Sequence, residues 1–154
     1  MISHHFAELL PGDKRVRDLE KNVWEFSQFL TNVLKIEDVG ATFDGLVTYH
    51  DSCHALRELK IKEGPRKLLQ NVRRLRLVEM EPAEECCGFG GTFSVKFPEI
   101  SGGMARTKIE AIERTGAGTV VSIDSSCLMQ LQGVLTRAGS KIRTMHLAEV
   151  LASR

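Results

Sequence analysis

The sequence predicts an α/β fold: a parallel sheet of about four strands with flanking helices, preceded by a long N-terminal amphipathic helix. Three observations carry this expectation. From residue 45 onward, short β-rich runs alternate with segments of helical period, the pattern of parallel strands joined by crossover helices. Glycine and proline breaks at Gly64-Pro65, Gly116, Gly118 and Gly139 fall between those segments. Each cysteine-bearing spot lies just past a predicted strand, at the edge where such sheets build their sites.

The elements follow in order. Between Asp13 and about Leu34, Val16, Leu19, Val23, Phe26, Leu30 and Val33 recur at three- and four-residue steps, which predicts one amphipathic helix. After Asp38-Val39-Gly40, the run GLVTYH (Gly45 to His50) predicts the first strand. A polar turn, Asp51-Ser52, then leads into a helix starting near Cys53. Pro65 suits the first turn of a helix reaching about Arg74, and Leu75 to Met80 reads as the second strand. Glu99 to Thr115 has helical period, and Thr119 to Ile123 (TVVSI) is the third strand. Asp124, Ser125 and Ser126 are N-cap candidates for a helix that carries Cys127 in its first turn and runs to about Arg137. Lys141 to Met145 supplies the fourth strand, and His146 opens a final short helix. Residues 1–40 are therefore expected as an N-terminal helical segment and 41–154 as a cysteine-rich domain. The basic clusters Lys14-Arg15-Arg17 and Arg73-Arg74-Arg76 are expected on solvated helix faces, and Trp24, Phe93 and Phe97 as core or packing residues.

Composition narrows the function classes. A chain of 154 residues can bury a core without disulfide staples. With 21 basic against 20 acidic residues it offers no electrostatic case for nucleic acid or an anionic membrane. No apolar run approaches membrane-spanning length, and four cysteines without a signal segment fit a cytoplasmic location where thiols stay reduced. Such thiols act as ligands or catalysts.

The cysteine pattern points to one centre. Cys53 is separated by 32 residues from the adjacent pair Cys86-Cys87, and 39 residues lie between Cys87 and Cys127. Each gap accommodates a helix and a strand, so the thiols are gathered by the fold and not by a local loop. A cysteine in the first turn of a helix, as expected for Cys53 and Cys127, is biased toward thiolate by unpaired amides and the helix dipole. Gly88, Gly90 and Gly91 let backbone amides approach a bulky anionic group. Adjacent cysteines do not match zinc-finger spacing, so soft multi-thiolate ligation points first to an iron-sulfur cluster and second to zinc. A lone cysteine reads as a small hydrophobe, but four at strand ends do not. A catalytic thiol at Cys53, with His50 or His54 as base, leaves Cys86-Cys87 unexplained. A thiol-disulfide catalyst would need a strained bridge between neighbours. His50, His54 and His146 all fall near strand ends and are candidate ligands or outer donors. Asp51 and Asp124 are candidate caps.

The stretches YHDSCHALREL (Tyr49 to Leu59), ECCGFGGTFSVKFPEIS (Glu85 to Ser101), DSSCLMQLQG (Asp124 to Gly133) and HLAEVLA (His146 to Ala152) closely resemble the cysteine-rich CCG-domain family. That family includes the cysteine-rich subunits of heterodisulfide reductase and of anaerobic glycerol-3-phosphate dehydrogenase. The resemblance implies an iron-sulfur electron-transfer subunit of a bacterial system oxidising L-lactate or glycolate, with Cys53, Cys86, Cys87 and Cys127 as ligands. It implies further iron-sulfur and flavin proteins as partners, and no membrane span. Members usually carry two such modules, so the chain is expected to correspond to a C-terminal half. The family pattern ends in Cys-x-x-Cys, whereas this chain has Gln130 at the last position. That difference disfavours the non-cubane cluster of the heterodisulfide reductase relatives and leaves a [4Fe-4S] cluster, the alternative being a zinc-binding or metal-free scaffold for assembly with partner subunits. His146 is a candidate for a missing ligand.

Overall fold

The computed structural model describes residues 2–154. Its centre is a parallel sheet in the order β2-β1-β3-β4, formed by β1 (Thr42–Tyr49), β2 (Arg73–Val78), β3 (Thr119–Ser122) and β4 (Arg143–His146). From β1 the chain steps to β2 on one side, then crosses back to add β3 and β4 on the other. The order therefore reverses between β1 and β3, which leaves a crevice at their carboxyl ends.

Side-chain alternation sorts the core into two layers. Val47, Tyr49 and Val121 face one side, where they pack with Leu68 and Leu69 of α4 (Glu63–Gln70) and Leu147, Val150 and Leu151 of α8 (Leu147–Leu151). Val120 faces the other side, against Ile109 and Ile112 of α6 (Pro98–Arg114) and Leu131 and Leu135 of α7 (Ser125–Arg137). Cys87 and Cys127 belong to this second layer. Fully burying one such aliphatic side chain is worth about 1.5–3 kcal/mol, so both faces of the short strands stabilise the sheet.

The N-terminal segment departs from expectation. Residues 13–34 do not form one helix: α1 (Ile2–Leu9) is followed by α2 (Lys14–Asn22), and the chain turns extended at Val23 before α3 (Phe26–Gln28) and a π-helical turn at Phe29–Val33. The cause is local capping. The Glu25 carboxylate accepts the amides of Ser27 and Gln28, starting a new helix that the 3.6-residue apolar period does not report. Asp13 caps α2 through the Arg15 amide in the same manner. Of the predicted stripe, Val16 is buried and Leu30 packs against the sheet layer, but Leu19, Phe26 and Val33 are exposed.

Two further expectations are corrected. Arg73, Arg74 and Arg76 lie on the edge strand β2 and not on a helix, because α4 stops at Gln70 and the chain enters the sheet at Arg73. Charges there protect an open sheet edge from pairing with another chain. Trp24 and Phe97 are about half exposed (45% and 51%) and are not core residues. Trp24 sits at the break before α3, and Phe97 stacks obliquely on Phe93, 5.6 Å between ring centroids, beside α5 (Thr92–Lys96). Among the described residues no helix is long and apolar enough to cross a membrane.

Candidate metal centre

Strand β1 delivers the first donors. Beyond Tyr49 its ladder continues for one residue: the His50 amide donates to the Val121 carbonyl at 2.8 Å, and the Ser122 hydroxyl donates to the His50 carbonyl at 3.0 Å. This pins the His50 backbone between the two strands at the crevice. The chain then turns through buried Asp51 and Ser52 to half-buried Cys53, at the start of a π-helical turn at His54–Glu58. The Ser52 hydroxyl, and not Asp51, caps this turn by accepting the Ala55 amide at 3.1 Å.

Asp51 is committed elsewhere. Its carboxylate takes a two-pronged ion pair from Arg66, at 2.9 and 2.7 Å. The same guanidinium grips Glu79 at 2.8 and 2.9 Å and lies 5.0 Å over the Tyr49 ring. Burial disfavours the Arg66 cation, but the two carboxylates outweigh it and raise its pKa. One side chain of α4 thus ties the loop after β1 to the loop after β2.

The second loop brings Cys86 and Cys87. It has no regular structure between Val78 and Thr92 and is held by neighbours. Arg114 donates to the Glu81 carbonyl at 3.0 Å, Lys62 pairs with Glu84 at 2.9 Å, and Lys108 donates to the Pro82 and Ala83 carbonyls at 3.0 and 2.6 Å. Lys108 is fully buried, and burial lowers its pKa against the opposing pull of nearby acidic groups and sulfurs. Gly88 touches α6 so closely, at φ +84°, that a Cβ would come within 2.5 Å of the Ser101 carbonyl oxygen. The Ser101 hydroxyl donates to the Gly88 carbonyl at 2.8 Å and accepts from the Gln130 amide at 2.9 Å. Gln130 therefore braces the Cys86-Cys87 loop through Ser101.

Strand β3 leads to Cys127 in the first turn of α7. The Asp124 carboxylate caps this helix, accepting from Ser126 and Cys127 amides at 3.0 and 3.3 Å. Burial opposes its ionisation, yet the Ser126 hydroxyl and the two amides hold its pKa below the ordinary value.

These loops meet in one place. His50, Cys87 and Cys127 are all buried, and a ring nitrogen and the two sulfurs lie within 4.8 Å of one another, a donor set that could hold a metal ion. The neighbouring Cys127 thiol lowers the Cys87 pKa against the opposing effect of burial, with His50 acting in the same direction as Cys127, while the Cys87 sulfur and burial raise that of Cys127. Asp124 already takes the Cys127 amide as the cap of α7. Burial raises the pKa of Cys86, the Gly88 amide at 3.4 Å from its sulfur opposes this, and the neighbouring Cys87 and Cys53 raise it further. All four thiols are free.

The pattern of the cysteine-rich domain called CCG matches residues 47–132, the stretch that contains all three of these loops. The chain belongs to the cysteine-rich CCG family. Within that family it is similar to lactate utilization protein A of Lysinibacillus sphaericus, 46% identical over 153 residues, covering 97% of this chain and 67% of that protein. The protein of the same name from a Geobacillus species is 49% identical over 153 residues, covering 97% of this chain and 64% of that one. The Bacillus cereus protein of that name is 43% identical over 155 residues, with 98% and 65% covered. The chain therefore spans about two thirds of the length of these CCG relatives.

Other candidates named from sequence have different occupations in this CCG domain. The His146 ring caps α8, accepting the Ala148 amide at 3.1 Å, with its other nitrogen 3.1 Å from the Ile123 carbonyl. His54 is exposed and pairs with Glu58 at 2.9 Å. Gly90 and Gly91 are exposed at the loop tip and adopt positive φ. His50 gains in importance, and one sequence signal could have separated it from the other histidines. It closes the run GLVTYH and directly follows Tyr49, the end of the central strand, whose last residues are buried on both faces. Lys108 and Arg66 carry no such signal, since each reads as one more basic residue on a helix.

Proposed function

We propose that Cys53, Cys86, Cys87 and Cys127 hold an iron-sulfur cluster, [4Fe-4S] in type, and that the chain is an electron-transfer component of a bacterial cytoplasmic system oxidising L-lactate or glycolate. The observation that supports this reading is the grouping of Cys87 and Cys127 with His50 at the switch point of one parallel sheet, with Cys86 and Cys53 interacting beside them and all four thiols free. Soft, multi-thiolate donor sets suit such clusters. A bound cluster would supply one-electron chemistry.

The protein's own residues set the conditions around it. Arg66 and Lys108 hold the loops in register, and Lys108 lies near the Cys87 and Cys127 sulfurs. The Gly88 amide, 3.4 Å from the Cys86 sulfur, donates toward a ligand, an arrangement that tunes potential. The names of the relatives support lactate as the substrate of the system. Further iron-sulfur and flavin proteins would be the partners that donate and accept electrons.

Anaerobic reconstitution with iron and sulfide, followed by metal analysis and EPR, tests the reading. About four irons per chain and a redox-active signal, lost in Cys86→Ser, are expected. A second reading is a zinc scaffold, favoured by the tight grouping of His50, Cys87 and Cys127, which suits a single ion. Stoichiometric zinc without iron or a redox signal would establish it instead.

A further inference from the structure

The ring of His50 is buried without a partner. It is 0% exposed, and among the described residues neither ring nitrogen makes a hydrogen bond. Buried polar groups are almost always paired, and the ring faces the Cys87 and Cys127 sulfurs, an arrangement that an ion held between them would satisfy. The backbone amide and carbonyl of His50 are both engaged with β3, so the strand and not the ring fixes the residue's position. One ring nitrogen lies within 4.8 Å of the sulfurs of both Cys87 and Cys127.

We propose that His50 is a nitrogen ligand of the metal centre, taking a terminal position in place of one of the four cysteines and giving a mixed coordination of cysteine sulfur and histidine nitrogen. The proposal rests on the metal-centre reading above. The neighbouring non-thiol donors are spoken for: the Gln130 amide by Ser101, the Asp51 carboxylate by Arg66, the His146 ring by Ala148 and Ile123. His50 is neutral as a ligand, so it adds no negative charge to a site already rich in thiolate. Clusters in which histidine stands in place of cysteine have raised reduction potentials. His50 would therefore set the centre's potential as well as its geometry.

Pulsed EPR on the anaerobically reconstituted, reduced protein tests this directly. The wild-type chain is compared with the same chain labelled with 15N-histidine, and then with His50→Cys and His54→Ala variants whose fold is checked by circular dichroism. The expected result is a histidine-nitrogen coupling that changes with the isotope, persists in His54→Ala and disappears in His50→Cys. The cysteine variant keeps its iron and shifts to a lower potential. An intact cluster signal without histidine coupling overturns the proposal, as does a coupling lost in His54→Ala. The wild-type isotope comparison decides whether histidine binds the cluster even where His50→Cys fails to fold. A wild-type chain that takes up no iron removes the cluster reading itself, and the ligand assignment with it.

Discussion

Gly88 and Asp124 show how single residues shape the cysteine loops. At Gly88 a methyl group would collide with the Ser101 carbonyl at 2.5 Å, in a backbone conformation that L-residues rarely adopt. Gly88→Ala should destabilise the chain by about 1–3 kcal/mol, read as a lower urea midpoint; an unchanged midpoint would mean that the loop relaxes freely. Asp124 stabilises through its cap. Its folded pKa is lowered, so its contribution is complete above the unfolded value of about 3.9 and is lost as pH falls through the lower folded value. Asp124→Ala should cost about 1 kcal/mol at neutral pH, and the gap between variant and wild type should close as the pH falls below about 4. The Asp124 cap was legible because Asp-Ser-Ser precedes a helical period. The role of Asp51 was not: the residue is expected as a cap, but the Arg66 guanidinium claims its carboxylate.

At the scale of elements, α4 acts as a clamp. Arg66 joins the loops after β1 and β2, and the Asp51 side chain it grips is 1% exposed. Removing one partner of a buried pair leaves an uncompensated charge, so Arg66→Met should cost about 3–5 kcal/mol in chemical denaturation. Adding Asp51→Asn should restore part of the loss; strictly additive costs would show that the two residues are not coupled. The strands were legible from their β-branched runs and from the glycines between them, as TVVSI illustrates. The helix expected over residues 13–34 was not, because a period records which faces are apolar and not where a side chain such as Glu25 restarts the backbone. Arg73, Arg74 and Arg76 misled for a related reason: an edge strand exposes side chains much as a helix face does.

At the scale of the whole molecule, the centre draws on three crossovers, so an ion held there is linked to the stability of the entire sheet. With free metal at about 100 times its dissociation constant the expected gain is about 2.7 kcal/mol, seen as a rise in melting temperature that a chelator reverses. A melting temperature indifferent to metal would mean that no ion bridges the loops. The location of the thiols could be read from sequence because strand ends and cysteines coincide. Their pairing could not, since the proximity of Cys87 to Cys127 depends on strand order. That order also sets a timetable. Strand β1 bonds to β3, with Val47 opposite Thr119, so the central pairing joins residues more than seventy positions apart. A chain emerging from the ribosome exposes Cys53, Cys86 and Cys87 well before Cys127 exists to meet them, and long-range parallel pairing is slow to form. The sheet must close before the three loops can meet, so a metal held by all of them would enter only after β3 has paired with β1.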